Sequence, residues 1–192
     1  MSAQTQARLT PEQYLELDRA SEVRNEYYQG RMWAMSGGTV PHATVIGNLN
    51  RELSIALKKR PRMVFTSDLR VRVAAEGLYT YPDLAVVCGE PRLLDGRKDT
   101  LLNPALVVEV LSPSTEAYDR GFKAAQYRGI ESLQEYALVS QTEPRVEVFR
   151  RQDGGHWLLT ESVGMDAACS FESVGASVPL AEIYDKVTFE AS

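Results

Sequence analysis

The sequence predicts one α/β (α+β) domain, and three observations carry that expectation. Its 192 residues suffice for one hydrophobic core without disulfide or metal staples. Short apolar or alternating runs of strand type recur along the chain, separated by capped segments of helical period. No repeat, low-complexity tract or Pro/Gly/Ser-rich linker divides it, so the domain is expected to span 1–192. Hydrophobic residues at 44% and charged residues at 24% fit a soluble globular chain. No stretch approaches the roughly 18 consecutive apolar residues of a membrane span. The first 20 residues lack the pattern of a secretory signal, so a cytoplasmic protein with no membrane partner is expected.

The elements follow in order. Thr10-Pro11 with Gln13 makes a helix start, with a cap, a first-turn proline and a glutamine able to reach back; the helix runs to about Asp18. Segments 24–28 and 31–36 flank Gln29-Gly30 and predict a hairpin, which puts Glu26 on a strand. A second helix opens at Pro41, and Val45, Leu49, Leu53 and Leu57 recur at helical spacing until Pro61 forbids continuation. Strands are expected at 63–66, 69–74, 82–88 and 105–111, the last two as apolar runs of the buried kind. Between those two, 91–104 is a polar connection turning at Asp95-Gly96. A helix is expected from about Glu116 to near Gly129, with Gly121 a weak point inside it. Strands at 135–140, 145–151 and 156–161, the last two joined by Asp153-Gly154-Gly155, and a short helix at 180–186 complete the chain.

The net charge of −5 and pI of about 5.2 argue against a protein that coats nucleic acid by bulk electrostatics. Charge is unevenly spread. Residues 51–72 hold seven basic side chains against two acids, whereas the chain from Asp153 onward holds seven acids and one lysine. The basic stretch is either a solvated helix face followed by a strand or a phosphate-facing surface, with Lys58, Lys59, Arg70 and Arg72 as candidate contacts. Cys88 closes an apolar run that would point it inward, so Cys88 and Cys169 are expected to be free core thiols.

There is no GxxxxGK[ST], GxGxxG, CxxC or HExxH, and with only His42 and His156 a Ser-His-Asp triad is poorly supplied. What remains is a set of carboxylates. Asp83 follows Pro82 at the head of one apolar run, and Glu109 interrupts the other. A carboxylate in an apolar strand carries a desolvation cost of several kcal/mol unless compensated. On neighbouring strands, opposite side chains lie about 4.5 to 5.5 Å apart, and two like charges about 4 Å apart repel by roughly 4 kcal/mol. Such a pair needs a counter-charge, either an ion-pair partner or a shared divalent cation. Oxygen-only ligands suit Mg2+ or Mn2+. Lys123 carries Asp119 at i−4 and Tyr127 at i+4, a spacing that also makes a surface ion pair. His42 shares the face of Val45 and Leu49, so a core position is the default.

Several segments together resemble a known family: 24–30 (RNEYYQG), Pro41-His42, Tyr81-Pro82-Asp83, 108–115 (VEVLSPST), and Asp119 to Lys123 with Tyr127. Five pieces in this order, over about residues 8 to 185, are similar to the Uma2 family, grouped with restriction endonucleases in the PD-(D/E)XK nuclease superfamily. The resemblance implies a restriction-endonuclease-like fold, a mixed central sheet flanked by helices. It implies metal ligation by Asp83, Glu109 and the Val110 carbonyl, with Glu26 as an upstream acid. Where the superfamily carries lysine two residues after the second acid, this chain has Leu111, and the resemblance assigns that role to Lys123. His42, Asp119 and Tyr127 are accessory positions.

The implied activity is Mg2+-dependent hydrolysis of DNA phosphodiesters by a homodimer, since cutting two strands favours paired sites. Two alternatives stay open: a catalytically weak nuclease fold kept as a binding or assembly module, and hydrolysis of a small phosphodiester.

Overall fold

The computed structural model describes residues 8–73 and 77–189. Helix α1 (Pro11–Ala20) begins with the expected capping box, in which Thr10 accepts from the Gln13 N–H and the Gln13 side chain accepts from the Thr10 N–H. Strands β1 (Asn25–Tyr28) and β2 (Arg31–Ala34) pair antiparallel. Gln29 and Gly30 between them sit at φ of 47° and 87°, the left-handed pair that a tight hairpin turn requires. Helix α2 (Val40–Leu57) is capped by Thr39 and buries Val45, Leu49, Leu53 and Leu57.

Next come β3 (Arg62–Thr66), β4 (Arg70–Val73), β5 (Leu78–Thr80), β6 (Leu84–Cys88), β7 (Thr100–Leu101) and β8 (Leu106–Leu111). Ala74, the last residue expected in the fourth strand, lies outside the described residues. A helical stretch follows: α3 (Glu116–Tyr118), a π-helical turn (Asp119–Lys123) and α4 (Ala124–Tyr127). Strands β9 (Glu135–Ser140), β10 (Arg145–Arg151), β11 (Trp157–Val163), β12 (Ala168–Phe171) and β13 (Ala176–Pro179) lead to α5 (Leu180–Ile183).

The central sheet runs β11-β10-β9-β8-β6-β3, parallel only between β8 and β9. A second sheet runs β2-β1-β5-β4-β7. Because successive strand residues point to opposite faces, β6 and β8 feed two cores. Leu84, Val86, Leu106, Val108 and Val110 pack on α2, α5 and the β12–β13 hairpin. Ala85, Val87, Val107 and Leu111 pack on the second sheet and on Ala124 and Tyr127 of α4. Helices thus flank a mixed sheet on both sides, as expected.

Some elements differ from expectation. Strands β5, β7, β12 and β13 are two to four residues long, too short for alternation to stand out. The helix expected from Glu116 is broken by the π turn holding Gly121, where the Ala124 N–H reaches the Asp119 carbonyl five residues back. Cys169 is a buried free thiol, but Cys88 is exposed, because β6 leaves the core at its last residue.

Candidate active site

The β6–β8 register pairs Leu84 with Val108, so one step further Asp83 comes level with Glu109. Period two puts both on the face shared with Ala85, Val107 and Leu111. The Val110 N–H donates to Asp83 Oδ2 at 2.7 Å, and the Asp83 N–H to Glu109 Oε2 at 3.4 Å. Glu109 is 3% exposed. Its Oε1 accepts from the Tyr127 hydroxyl at 2.7 Å and from Lys123 Nζ at 3.1 Å.

Lys123 arrives from the helical stretch, not from β8. The π turn aims its ammonium down between the strands, where Nζ lies 3.1 Å from Glu109 Oε1, 3.3 Å from Glu26 Oε1 and 3.3 Å from Asp119 Oδ1. π turns recur at functional sites because they redirect side chains that a regular helix would fan outward. The Tyr136 hydroxyl donates to the Asp119 carbonyl at 3.1 Å, fastening the turn to β9. Glu26 is held on every side. Thr80 donates to its Oε1, while the Trp33 indole N–H at 3.0 Å and the Tyr118 hydroxyl at 3.1 Å donate to its Oε2.

These groups line a cavity of about 340 Å3 that contains Glu26, Asp83, Glu109 and Asp119 against Lys123 and His42. Four carboxylates thus face one ammonium and one imidazole. Burial pushes the Glu109 carboxyl up to about 8, with Lys123 pulling down and Asp83 and Asp119 pushing up. Burial raises Asp119 as well. For Lys123 burial acts downward, and the carboxylates of Glu109, Glu26 and Asp119 outweigh it, leaving the ammonium well above its ordinary range.

His42, in the first turn of α2, is half-buried and lines this cavity, and so is not the core residue its helical face suggested. Its Nε2 lies 3.4 Å from Asp83 Oδ2. The hydrogen bond to Asp83 raises its pKa against the effect of burial, and a backbone hydrogen bond to Val110 adds to the rise. The Val110 side chain itself packs in the core on the opposite face.

The donor set fits a divalent cation. It consists of carboxylate oxygens with surplus negative charge, and among the described residues the Asp83 side chain is paired only with the His42 imidazole. Among the described residues no group of three or more His, Cys, Asp or Glu side chains is arranged as a ready metal cage. Mg2+ commonly uses only one or two carboxylates and keeps its waters, which Asp83 and Glu109 could provide.

The basic candidates do not gather here. Arg70 is 2% exposed and forms a buried ion pair with Asp18, Nη2 to Oδ2 at 2.6 Å, so it is not a surface phosphate contact. Lys58 and Lys59 are exposed at the far end of α2, about 24 Å from His42 at a rise of roughly 1.5 Å per residue. Arg72 lines a separate hollow with Arg92 and Ile130. None of the four lines the acidic cavity.

Trp33 and Tyr118 escaped the sequence reading. A signal for Trp33 was present, since a turn at Gln29-Gly30 places residue 33 opposite Glu26, the register observed. Nothing local indicated Tyr118.

Fold and cavity together define a class, an α+β domain of nuclease-like architecture with an acidic pocket at the junction of two sheets. The chain belongs to the Uma2 family, described as "Putative restriction endonuclease", whose model matches residues 11–179. It is 36% identical over 184 residues to the uncharacterized protein slr1290 of Synechocystis, covering 95% of this chain and 94% of that one. Its identity to the uncharacterized protein sll1609 of the same organism is 35% over 163 residues, covering 85% and 92%. Its fold matches the crystal structure of "a putative nuclease belonging to DUF820" from Anabaena variabilis, with a TM-score of 0.76 and 18% identity over 94% of this chain and 99% of that one. Among the described residues no helix is long and apolar enough to cross a membrane.

Proposed function

We propose that this protein is a Mg2+- or Mn2+-dependent endonuclease that hydrolyses DNA phosphodiester bonds. The observation that carries this reading is the convergence of Asp83 and Glu109 on one face of adjacent strands, with Lys123 Nζ 3.1 Å from Glu109 Oε1. Family membership supports the same chemistry, and cutting both strands of a duplex would call for a homodimer with paired sites.

A divalent cation held by Asp83, Glu109 and the Val110 carbonyl would supply Lewis acidity toward the phosphoryl oxygens and lower the pKa of a bound water. The chain's own groups do the rest. Asp119 and Glu26 hold the Lys123 ammonium charged and fixed, ready to orient the attacking water or offset charge developing on the phosphate. Burial of Glu109 and Lys123 excludes bulk water and strengthens both interactions. His42, within reach of Asp83, is placed to give a proton to the leaving oxygen.

The test is a titration of Mn2+ and Mg2+ against thermal stability and plasmid nicking for wild type, Asp83→Ala and Lys123→Ala. The reading requires metal to stabilise wild type and not Asp83→Ala, and requires Lys123→Ala to bind metal yet lose nicking. Equal metal binding by wild type and Asp83→Ala would sink it. Metal bound through Asp83 without hydrolysis of any nucleic acid would favour the binding-module alternative.

A further inference from the structure

The two edges of the central sheet are protected very differently. An edge strand carries unpaired N–H and C=O groups, and natural proteins guard it with proline, with charge, above all lysine, or by keeping it short. At one edge, β3 begins with Arg62 and follows Lys58-Lys59-Arg60-Pro61. The edge strands of the second sheet, β2 and β7, have four and two residues. At the other edge of the central sheet, β11 is seven residues long (WLLTESV) and holds no proline, lysine or arginine. Its one charged residue, Glu161, is paired with Arg145 at 3.0 Å. Leu158, Leu159 and Val163 are 49%, 43% and 55% exposed.

The ladder to β10 decides which main-chain groups of β11 are free. The Gln152 N–H donates to the His156 carbonyl and the Gly164 N–H to the Pro144 carbonyl, both at 2.8 Å, and these bonds bracket the ladder. Arg150 stands opposite Leu158 and Val148 opposite Thr160. Because bonded and non-bonded pairs alternate in an antiparallel ladder, the even-numbered residues of β11 exchange bonds with β10. The groups of Trp157, Leu159, Glu161 and Val163 point the other way, where among the described residues no strand pairs with them.

This edge is complementary to itself. About a twofold axis at Thr160, the middle residue, an antiparallel second copy pairs with all seven residues. Trp157 then exchanges two bonds with Val163 of the second copy, and Leu159 two with Glu161, each pair occurring twice. An aromatic residue opposite a β-branched one, and Thr160 opposite itself, are pairs that stabilise sheets. The two Glu161 side chains are diagonal, each already matched by Arg145 of its own copy. The alternatives are worse. An axis at Glu161 sets that carboxylate directly against itself, and an axis at Leu159 sets it against Trp157; either leaves only five residues paired.

We infer that two copies of this chain join through β11, antiparallel about Thr160, so that the central sheet runs from one copy into the other. The inference does not rest on the nuclease reading.

Sedimentation equilibrium should find the wild-type chain dimeric at tens of micromolar. Leu159→Lys together with Val163→Lys should give a monomer with an unchanged circular dichroism spectrum, since both side chains are exposed. The register has its own test. Thr160 and its copy form a non-bonded pair with Cα atoms about 4.5 Å apart, within the span of a disulfide. Exposed Cys88 is first replaced by Ser, and Cys169 is buried. In that background, mild oxidation should link Thr160→Cys into a covalent dimer at least tenfold faster than Leu158→Cys, whose copies stand four residues apart along the strands, about 13 Å. A monomeric wild type, a dimer that survives the two lysines, or equal cross-linking at both positions overturns the inference. A dimer that meets all three conditions yet cuts no nucleic acid sustains it and counts against the nuclease reading alone.

Discussion

Two clusters of buried charge meet the Thr80–Asp83 segment that carries the chain from one sheet to the other, the first through Tyr81 and the second through Thr80 and Asp83, and they are balanced differently. In the first, Asp18 accepts from Arg70 at 2.6 and 3.1 Å, from the Tyr81 hydroxyl at 2.5 Å and from Asn25 at 2.9 and 3.1 Å. Arg70 donates further to Thr100 at 2.8 Å. Arg70 also lies 3.5 Å from Asp99, which Arg19 pairs in turn, so anions and cations alternate and hydrogen bonds occupy the remaining valences. In the second, three carboxylates share Lys123 and a fourth, Asp83, faces the His42 imidazole, all beside an open cavity. A closed, neutral cluster fixes structure. A surplus of one sign facing a hollow leaves room for a partner from outside, which is why this cluster, and not the first, is the candidate site.

The comparison breaks most visibly at Arg70. Arg70→Met should leave Asp18 buried and unpaired, a loss of about 3 to 5 kcal/mol, read as a fall in Tm of roughly 6 to 20 °C. Removing a charge from the second cluster should behave in the opposite way. Without metal, Asp83→Asn and Glu109→Gln should stay within about 1 kcal/mol of wild type, because each relieves repulsion. Both should forfeit stabilisation by Mn2+, which for a wild-type site at a hundredfold excess over Kd is about 2.7 kcal/mol. Calorimetry with and without Mn2+ checks both, and a large metal-free destabilisation by Asp83→Asn would erase the distinction.

The pH dependence sharpens it further. Burial raises the Asp18 carboxyl, but the bonds from Tyr81, Asn25 and Arg70 prevail and hold it below its ordinary 3.8. Its contribution is therefore complete above that value and lost as pH falls through the folded pKa. Glu109 is raised from 4.5 to about 8, so the folded state binds more protons than the unfolded one between those values. Stability from this cluster should then decline as pH rises across that window. His42, raised from 6.5, adds to the decline as it deprotonates. Metal-free Tm should fall by a few degrees from pH 6 to 8.5, and Mn2+ should flatten the slope while releasing protons. A flat metal-free profile would count against the surplus charge. The smallest effect is expected at the end of α2: Lys58→Glu with Lys59→Glu should alter stability by under about 0.5 kcal/mol and leave strand cleavage unchanged in a nuclease assay.

Much of this site was legible in the chain. An acid inside each of two apolar runs pointed to Asp83 and Glu109, since strand period confines such residues to one face. The i, i+4 spacing grouped Asp119, Lys123 and Tyr127 on one helix face, and a Gly in the turn made the β1–β2 hairpin and the place of Glu26 readable. Arg70 was misread because a basic residue in an alternating strand looks solvent-facing until its partner is known, and Asp18 stands 52 positions away. For His42 helical periodicity alone suggested a core position, while the family resemblance put it beside the site, because periodicity gives a face but not how far along the helix the covering layer extends. Beyond the weak point at Gly121 the π turn left no local trace, as its extra residue is stabilised by contacts such as the Tyr136 hydroxyl on the Asp119 carbonyl.

The sequence by itself determined the types of the longer elements, the faces on which the acids project and the family, because each depends on local period, capping or contiguous motif. Only the tertiary structure decided that Lys123 meets three carboxylates, that Trp33 and Tyr118 converge on Glu26, and that the basic stretch is dispersed away from the cavity. Those outcomes depend on how two sheets and a bent helix pack together, and the electrostatic cost of burying charge depends on distances that no local pattern encodes.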